Sequence, residues 1–404
     1  MSTNTLGPLV RLRGLRTEQL PAASASPDDL APFLLAILQE AVPFIDSAAP
    51  KASGDAKPDP KIWKLKGTHT HPDSKAKVEV LERVIPAAEL EKVESRSSAA
   101  SEGGGESKGG GGKDAKVKGE TWCCRRSVHA DAAERGTASW EEFVAAFREE
   151  HAQSEKAFTP ACLAAHEAQS WDCAGVEVEE GGVRWGRFKL VVEEMRHRIG
   201  KPVLKDRTFP VLQMTAAALG SGTGGEGGRE FVVASIPVPD YGERSDKSKL
   251  AREKGAQVAF YVSVERIRGI GGGDGGQRKI EWLMATASDA AGVLPAWVQN
   301  LAAPAVIWKD VPLFLGWIAR ERGRRAQTKE AAPNGGGKKE EKAKSPDADG
   351  ERAALPRVSS GVEVGSLPTV SEETSNDPEL DAHTGPEVTT GVEVSQTAKV
   401  SGSA

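Results

Sequence analysis

The run Gln257-Val-Ala-Phe-Tyr-Val-Ser-Val-Glu-Arg-Ile-Arg268, followed after a glycine-rich break by Lys279-Ile-Glu-Trp-Leu-Met-Ala-Thr-Ala287, decides how this chain folds. Both runs are rich in β-branched and aromatic residues and alternate with a period of two, the signature of strands. Val258, Phe260, Val262 and Val264 share one face of the first strand, and Ala259, Tyr261, Ser263 and Glu265 share the other. Ile280, Trp282, Met284 and Thr286 share one face of the second. The first-named set of each strand is assigned to the inner face of the sheet. The break Gly269–Gly276 has the composition of a dinucleotide-binding loop. A phosphate cradle needs a helix after its glycines, and here a strand follows, so the break reads as a hairpin.

Working upstream, Phe188–Met195, Thr208–Met214 and Glu230–Val238 show the same strand character and are separated by turn-rich joins. Five strands in succession with no helix between them predict an antiparallel meander. Before it, Ser139 with Glu142 forms a capping box. The helix that follows places Trp140, Phe143, Val144 and Phe147 on one side, and a second helix is expected over Thr159–Gln169. Thr121–Val128, Val78–Val84 and Lys61–Lys66 read as strands. Leu30, Phe33, Leu34, Ile37, Leu38, Ala41 and Ile45 have helical spacing, and Asp28 and Asp29 stand at the end where the helix dipole favours negative charge. The opening segment, with Arg11, Arg13 and Arg16 among leucines, reads as an extended leader lying on that helix. Downstream, Leu294, Trp297, Val298 and Leu301, then Val311, Phe314, Leu315 and Ile318, read as helical faces.

Four segments follow from this reading. Residues 1–90 supply a helix and strands, 91–119 form a disordered Gly/Ser/Lys insertion, 120–325 form the main domain, and 326–404 form a disordered acidic tail. The tail has no aromatic residue, Cys or Met and carries 8 Lys+Arg against 14 Asp+Glu, too little apolar surface to offset ordering entropy. The rest carries 45 Lys+Arg against 44 Asp+Glu, so no basic field argues for nucleic acid. No apolar run of membrane-spanning length is read. Cys123, Cys124, Cys162 and Cys173 do not form a disulfide framework and imply reduced thiols in a cytoplasmic protein. The histidines and cysteines lack the spacing of a closed metal site, and no nucleophile elbow is present. No metal or other cofactor and no catalysis are therefore expected.

The stretch from Glu281 to Asn300 resembles the close of a START domain, with Asp289, Gly292, Leu294, Pro295, Trp297 and Asn300 at the matching positions. Asp206-Arg207-Thr208-Phe209 is similar to the Arg-Asp-Phe opening of a START strand, with the order partly changed. The chain resembles more closely a fungal family of START-like proteins without assigned function, within the START/Bet v 1-like superfamily. That resemblance rests on Arg126–His129, Gly136–Trp140, Arg207–Val211, Tyr261–Arg266, Trp282–Pro295 and Lys309–Trp317, and runs from about Leu6 to Arg325. It implies an α+β, START-like helix-grip fold: a curved antiparallel β-sheet packed on a long C-terminal helix, with a hydrophobic cavity between them.

The expected cavity lining is Trp140, Phe188, Arg207, Phe209, Phe260, Val262, Glu265, Trp282, Met284, Thr286, Trp297 and Phe314. Arg126, Glu194, His197, Arg207, Glu265 and Arg266 are candidates to orient a ligand's polar head. Arg207 and Glu265 are preferred because each lies in an apolar stretch, where a buried charge needs a partner. Glu193 and Arg198 read as a solvated face, and the loop around Pro239–Lys254 as a gate. The expected function is non-enzymatic carriage or sensing of a sterol, acyl lipid or other apolar small molecule by a monomer. Transient contact with an anionic membrane surface through the basic cluster from Arg320 to Arg325 is a further expectation. The alternatives are a scaffold with a filled core and a partner-recruiting tail, and an enzyme, which a buried acid–base pair in the cavity would favour.

Overall fold

All the alternating runs join one sheet. The computed structural model describes residues 7–51, 58–101, 117–198, 205–220, 228–271, 277–289 and 306–331, all within one compact unit. The strands are β1 (Lys64–His71), β2 (Ser74–Ile85), β3 (Glu120–Ala130), β4 (Cys162–Trp171) and β5 (Val178–Glu180). The meander follows as β6 (Val183–His197), β7 (Arg207–Ala218), β8 (Glu230–Pro237), β9 (Phe260–Ile270) and β10 (Lys279–Asp289). The spatial order is β1-β2-β3-β10-β9-β8-β7-β6-β4, with β5 paired to β6. Each pair is antiparallel. Lys279 opposite Ile270 closes the glycine-rich hairpin.

Helices cover both faces of this sheet. Helix α1 (Pro27–Ala48) starts at Ser26, whose hydroxyl accepts from the Asp29 backbone N–H while Asp29 bonds back to Ser26. Its Leu30, Leu34, Ile37, Leu38, Ala41 and Ile45 are buried on Leu190, Leu212, Val232, Val262, Val264 and Leu283. At about 2 kcal/mol for each large apolar side chain, that face contributes on the order of 10 kcal/mol before chain entropy is counted. An acidic residue at Leu34 would break it. The leader lies against the same helix, with the Leu9 and Val10 backbone N–H groups donating to Glu40. By length and composition α1 alone would also suffice to cross a membrane, contrary to the sequence reading. Here its apolar stripe is spent on the sheet.

The second face carries α3 (Trp140–Phe143), a π-helical turn (Val144–Glu149), α4 (His151–Phe158) and, after α5 (Tyr241–Arg244) elsewhere, α6 (Asp310–Ala331). The predicted Ser139–Glu142 capping box starts α3. Phe143, Phe147, Phe158, Val311, Phe314 and Leu315 pack on Phe231, Ile267, Ile280 and Trp282. Arg322 of α6 donates to Glu142 (2.6 Å) and to the backbone oxygens of Glu134 and Thr137, tying α6 to the α3 cap. One member of the basic cluster is therefore a structural clamp.

Several expectations are corrected. Residues Thr159–Gln169, expected to form a helix, instead contain β4. The partner decides, because β4 pairs with β6 from Cys162 to Trp171 and removes an open edge beside a long apolar strand. The expected insertion at 91–119 begins inside α2 (Ala87–Ser101), and the final helix continues past Arg325 to Ala331. Residues 102–116 and 332–404, with the tail assigned to them, lie outside the described residues, as do Leu294, Trp297, Val298 and Leu301. The assignment of faces on β9 is also reversed. Val262 and Val264 face α1, and Tyr261, Ser263 and Glu265 face the other side. The sequence reading assumed one covered face. Because α1 occupies the more apolar face, the mixed face is the one that meets α4 and α6.

Candidate functional site

A cavity of about 330 Å³ opens on this second face, between the sheet and the helical pair α4 and α6. Its strand contributions follow from the period of two: Arg125 from β3, Phe209 from β7, Val233 from β8, Tyr261, Ser263 and Glu265 from β9, and Met284, Thr286 and Ser288 from β10. Phe147 of the π-helical turn, His151, Glu155 and Phe158 of α4, and Asp310 at the start of α6 close the opposite wall. His197, Arg198 and Thr159 complete the lining at one end. Beside the cavity, Phe143, Phe147, Trp282 and Phe314 pack ring to ring, with Phe147–Trp282 at 4.7 Å and Phe147–Phe314 at 4.8 Å. Those rings form solid core.

The cavity wall is mostly apolar, and most of its charged groups form one chain. Glu265 accepts from the Trp282 indole N–H at 2.6 Å and from Arg125 Nη2 at 3.3 Å. Its second oxygen lies 3.6 Å from His151 Nε2. The Gln213 side-chain amide lies 3.2 Å from His151 Nδ1. Glu155 follows on α4, 3.8 Å from His151 Nδ1 and 3.9 Å from His197 Nε2. Arg125 stacks over the Trp282 ring at 3.9 Å, and its Nε lies 3.5 Å from Asp310 Oδ2. Its side chain is 2 % exposed.

Burial sets the protonation of these groups. It drives the Glu265 carboxyl upward, but the His151 contact and the Arg125 charge outweigh that and hold it below the usual range. Burial alone would depress His151, yet Glu265, Glu155 and Glu193 leave it raised. Burial pushes Glu155 up to about 7 despite the nearby imidazole. It raises Asp310 against the pull of Arg125, raises Glu193 on β6, and holds His197 down at about 4. A neutral imidazole, a carboxyl poised near neutrality and a locked Arg–Glu–His chain thus share one wall.

Of the residues expected from sequence, Phe209, Glu265, Met284 and Thr286 line the cavity, and Trp282 and Phe314 belong to the adjoining aromatic core. Phe188 and Val262 pack on the α1 side. Phe260 pairs across β10 with Asp289 at the strand end, and Trp140 lies against Phe231 under Arg229. Arg207 is buried, pairs across the strands with His197 and donates to the Lys205 carbonyl at 2.7 Å, and it is not among the residues lining the cavity. Arg126 and Arg266 face α1, where Arg126, Arg266 and Arg268 all reach Glu281 and Arg266 also pairs with Asp46 and the Ala49 carbonyl. That cluster anchors the C-terminal end of α1, where cations suit the dipole.

Glu194, buried on the α1 side, accepts from the Ser248 hydroxyl (2.5 Å) and from the Lys249, Leu250 and Ala251 backbone N–H groups. The loop expected to gate the cavity is therefore pinned, on the opposite face. Glu193, read as solvated, is buried on the cavity face. Arg125, His151, Glu155, Tyr261 and Asp310 were missed. Only His151 and Glu155 carried a signal, a spacing of four that puts both on the helical side of Phe147 and Phe158.

The cysteines take no part in this site. All four are free and buried, and burial lifts Cys123, Cys124 and Cys162 to about 12 and Cys173 to about 11.

A search of curated proteins finds no match. Among solved structures, human STARD10 is similar at 13% identity over 72% of this chain and 83% of that one, with a TM-score of 0.38. Residues 122–318, which include every residue lining the cavity, match the profile of a family described as "Protein of unknown function (DUF3074)".

Proposed function

We propose that this chain is a non-enzymatic carrier or sensor that encloses a small molecule with an apolar body and a polar end, in a cytoplasmic setting. The observation that supports this reading is the 330 Å³ cavity, which sets Phe147, Phe158, Phe209, Val233 and Met284 beside the Arg125–Glu265–His151 chain. The START-like, helix-grip reading accords with a cavity shared by the sheet, α4 and the start of α6. At about 30 Å³ per water, the space suits a molecule of on the order of a dozen heavy atoms, at the small end of known ligand sites. Each methylene it buries gains about 0.8 kcal/mol, a gain a bilayer also offers, so the polar wall supplies selectivity. That size supports a small hydrophobic metabolite over an intact sterol as the ligand.

The test is uptake of a fluorescent naphthalene-type probe by the purified full chain, with mass spectrometry of whatever co-purifies. The expected result is saturable uptake that Thr286→Trp, which fills the cavity from β10, abolishes. Uptake that is absent, or the same in both chains, would refute the reading. A second reading, catalysis, is favoured by the acid–base set Glu155–His151–Glu265 on the cavity wall. It would show as chemical conversion of the co-purified molecule, lost in Glu155→Gln while binding persists.

A further inference from the structure

Arg125 has five guanidinium donors, and the protein uses few of them. Nη2 meets Glu265 and the Met284 sulfur. Nη1 and Nε are buried without a hydrogen-bond partner, although Nε has the Asp310 charge nearby. A buried N–H left unpaired is costly, and Arg125 lines the cavity, so an acceptor that drew its guanidinium toward the cavity would relieve that cost. Along the same wall, Glu155, whose side chain is 26 % exposed, can take a donor from the cavity. Its contacts to His151 and His197, at 3.8 and 3.9 Å, are longer than hydrogen bonds, and His197 is held neutral.

Neither need is met by a simple ion. An anion alone would satisfy Arg125 but sit among Glu155, Glu193, Glu265 and Asp310. A cation alone would satisfy Glu155 but leave the guanidinium N–H groups unpaired. One molecule bearing both charges answers both.

We propose that the ligand is a zwitterion of the amino-acid type, its carboxylate received by Arg125, its ammonium by Glu155, and its apolar side chain by Phe147, Phe158 and Phe209. The proposal rests on the binding reading above and narrows it. An aromatic amino acid has about a dozen heavy atoms, the size the cavity takes.

The test titrates the full chain calorimetrically with L-phenylalanine and three relatives: phenethylamine, which lacks the carboxylate, 3-phenylpropanoate, which lacks the ammonium, and 3-phenylpropanol, which lacks both charges. L-Phenylalanine is expected to bind at least about tenfold more tightly than each relative, the equivalent of one charge-assisted contact. Arg125→Gln should weaken L-phenylalanine and 3-phenylpropanoate but not phenethylamine. Glu155→Gln should weaken L-phenylalanine and phenethylamine but not 3-phenylpropanoate. The ligand series on the unaltered chain stands even if Arg125→Gln does not fold. A singly charged or neutral relative that binds as tightly as L-phenylalanine overturns the proposal. So does failure of all four to bind while the naphthalene probe is still taken up, an outcome that leaves the binding reading intact. Absence of both kinds of binding overturns both.

Discussion

Replacing Glu155 by Gln should stabilise this protein at pH 8 and change little at pH 4.5. Burial raises the Glu155 carboxyl from 4.5 to about 7, so the folded chain holds its proton more tightly than the unfolded chain does. A raised carboxyl favours folding at low pH and penalises it as pH climbs between those two values, with the full penalty above about 7. At 1.36 kcal/mol per pKa unit, the ceiling is about 3 kcal/mol. Gln mimics the protonated form and removes that penalty. The facing groups are His151 on α4, Glu193 and His197 on β6, Glu265 on β9, Arg125 on β3 and Asp310 on α6. They titrate in both chains and cancel from the difference, apart from their coupling to residue 155. Urea unfolding measures it. With an m-value of about 3 kcal/mol/M, the midpoint at pH 8 should rise by roughly 1 M. Equal midpoints at pH 8, or a Gln variant weaker than the parent, would refute the burial assigned to Glu155. Confirmation would mark a group kept at the expense of stability, as binding sites often are.

Two other outcomes follow from the geometry. Glu265→Gln leaves Arg125 buried beside Trp282 without its counter-charge, and should cost about 3 kcal/mol in urea unfolding at pH 7; a loss under about 1 kcal/mol would show that the pair is not desolvated. The folded Glu265 carboxyl is depressed, so this difference should be present above the unfolded value near 4.5 and fade as pH falls through the lower, folded one. Glu194→Ala removes the acceptor for Ser248, Lys249, Leu250 and Ala251, and should raise proteolytic cleavage between residues 245 and 255 several-fold. Probe uptake should be unchanged, because the loop lies across the sheet from the cavity; reduced uptake would restore the loop as a gate.

Much of the fold was legible because its signals are local. Alternation over Gln257–Arg268 and Lys279–Ala287 identified adjacent hairpin strands, Ser139 with Glu142 marked a helix start, and the spacing from Leu30 to Ile45 marked another. Thr159–Gln169 was misread because alanine-rich composition favours a helix in isolation, whereas an unpaired β6 edge recruits it as a strand. A smaller part of the site was legible on the same terms. Glu265, Met284 and Thr286 alternate along predicted strands, and Phe209 sits in another.

By itself, the sequence determined which stretches alternate, where helices begin, and that Glu265 stands in apolar surroundings, since each depends on residues within a few positions of one another. Only the tertiary structure decided which face of β9 meets the cavity, because helices cover both faces and periodicity cannot rank two buried sides. It alone decided the chemistry of the cavity wall as well. Arg125 and Glu265 are 140 residues apart in the chain, and His151, Glu155 and Asp310 arrive on two further elements. The burial and contacts that shift Glu265, His151, Glu155 and Asp310 exist only once those elements have packed together.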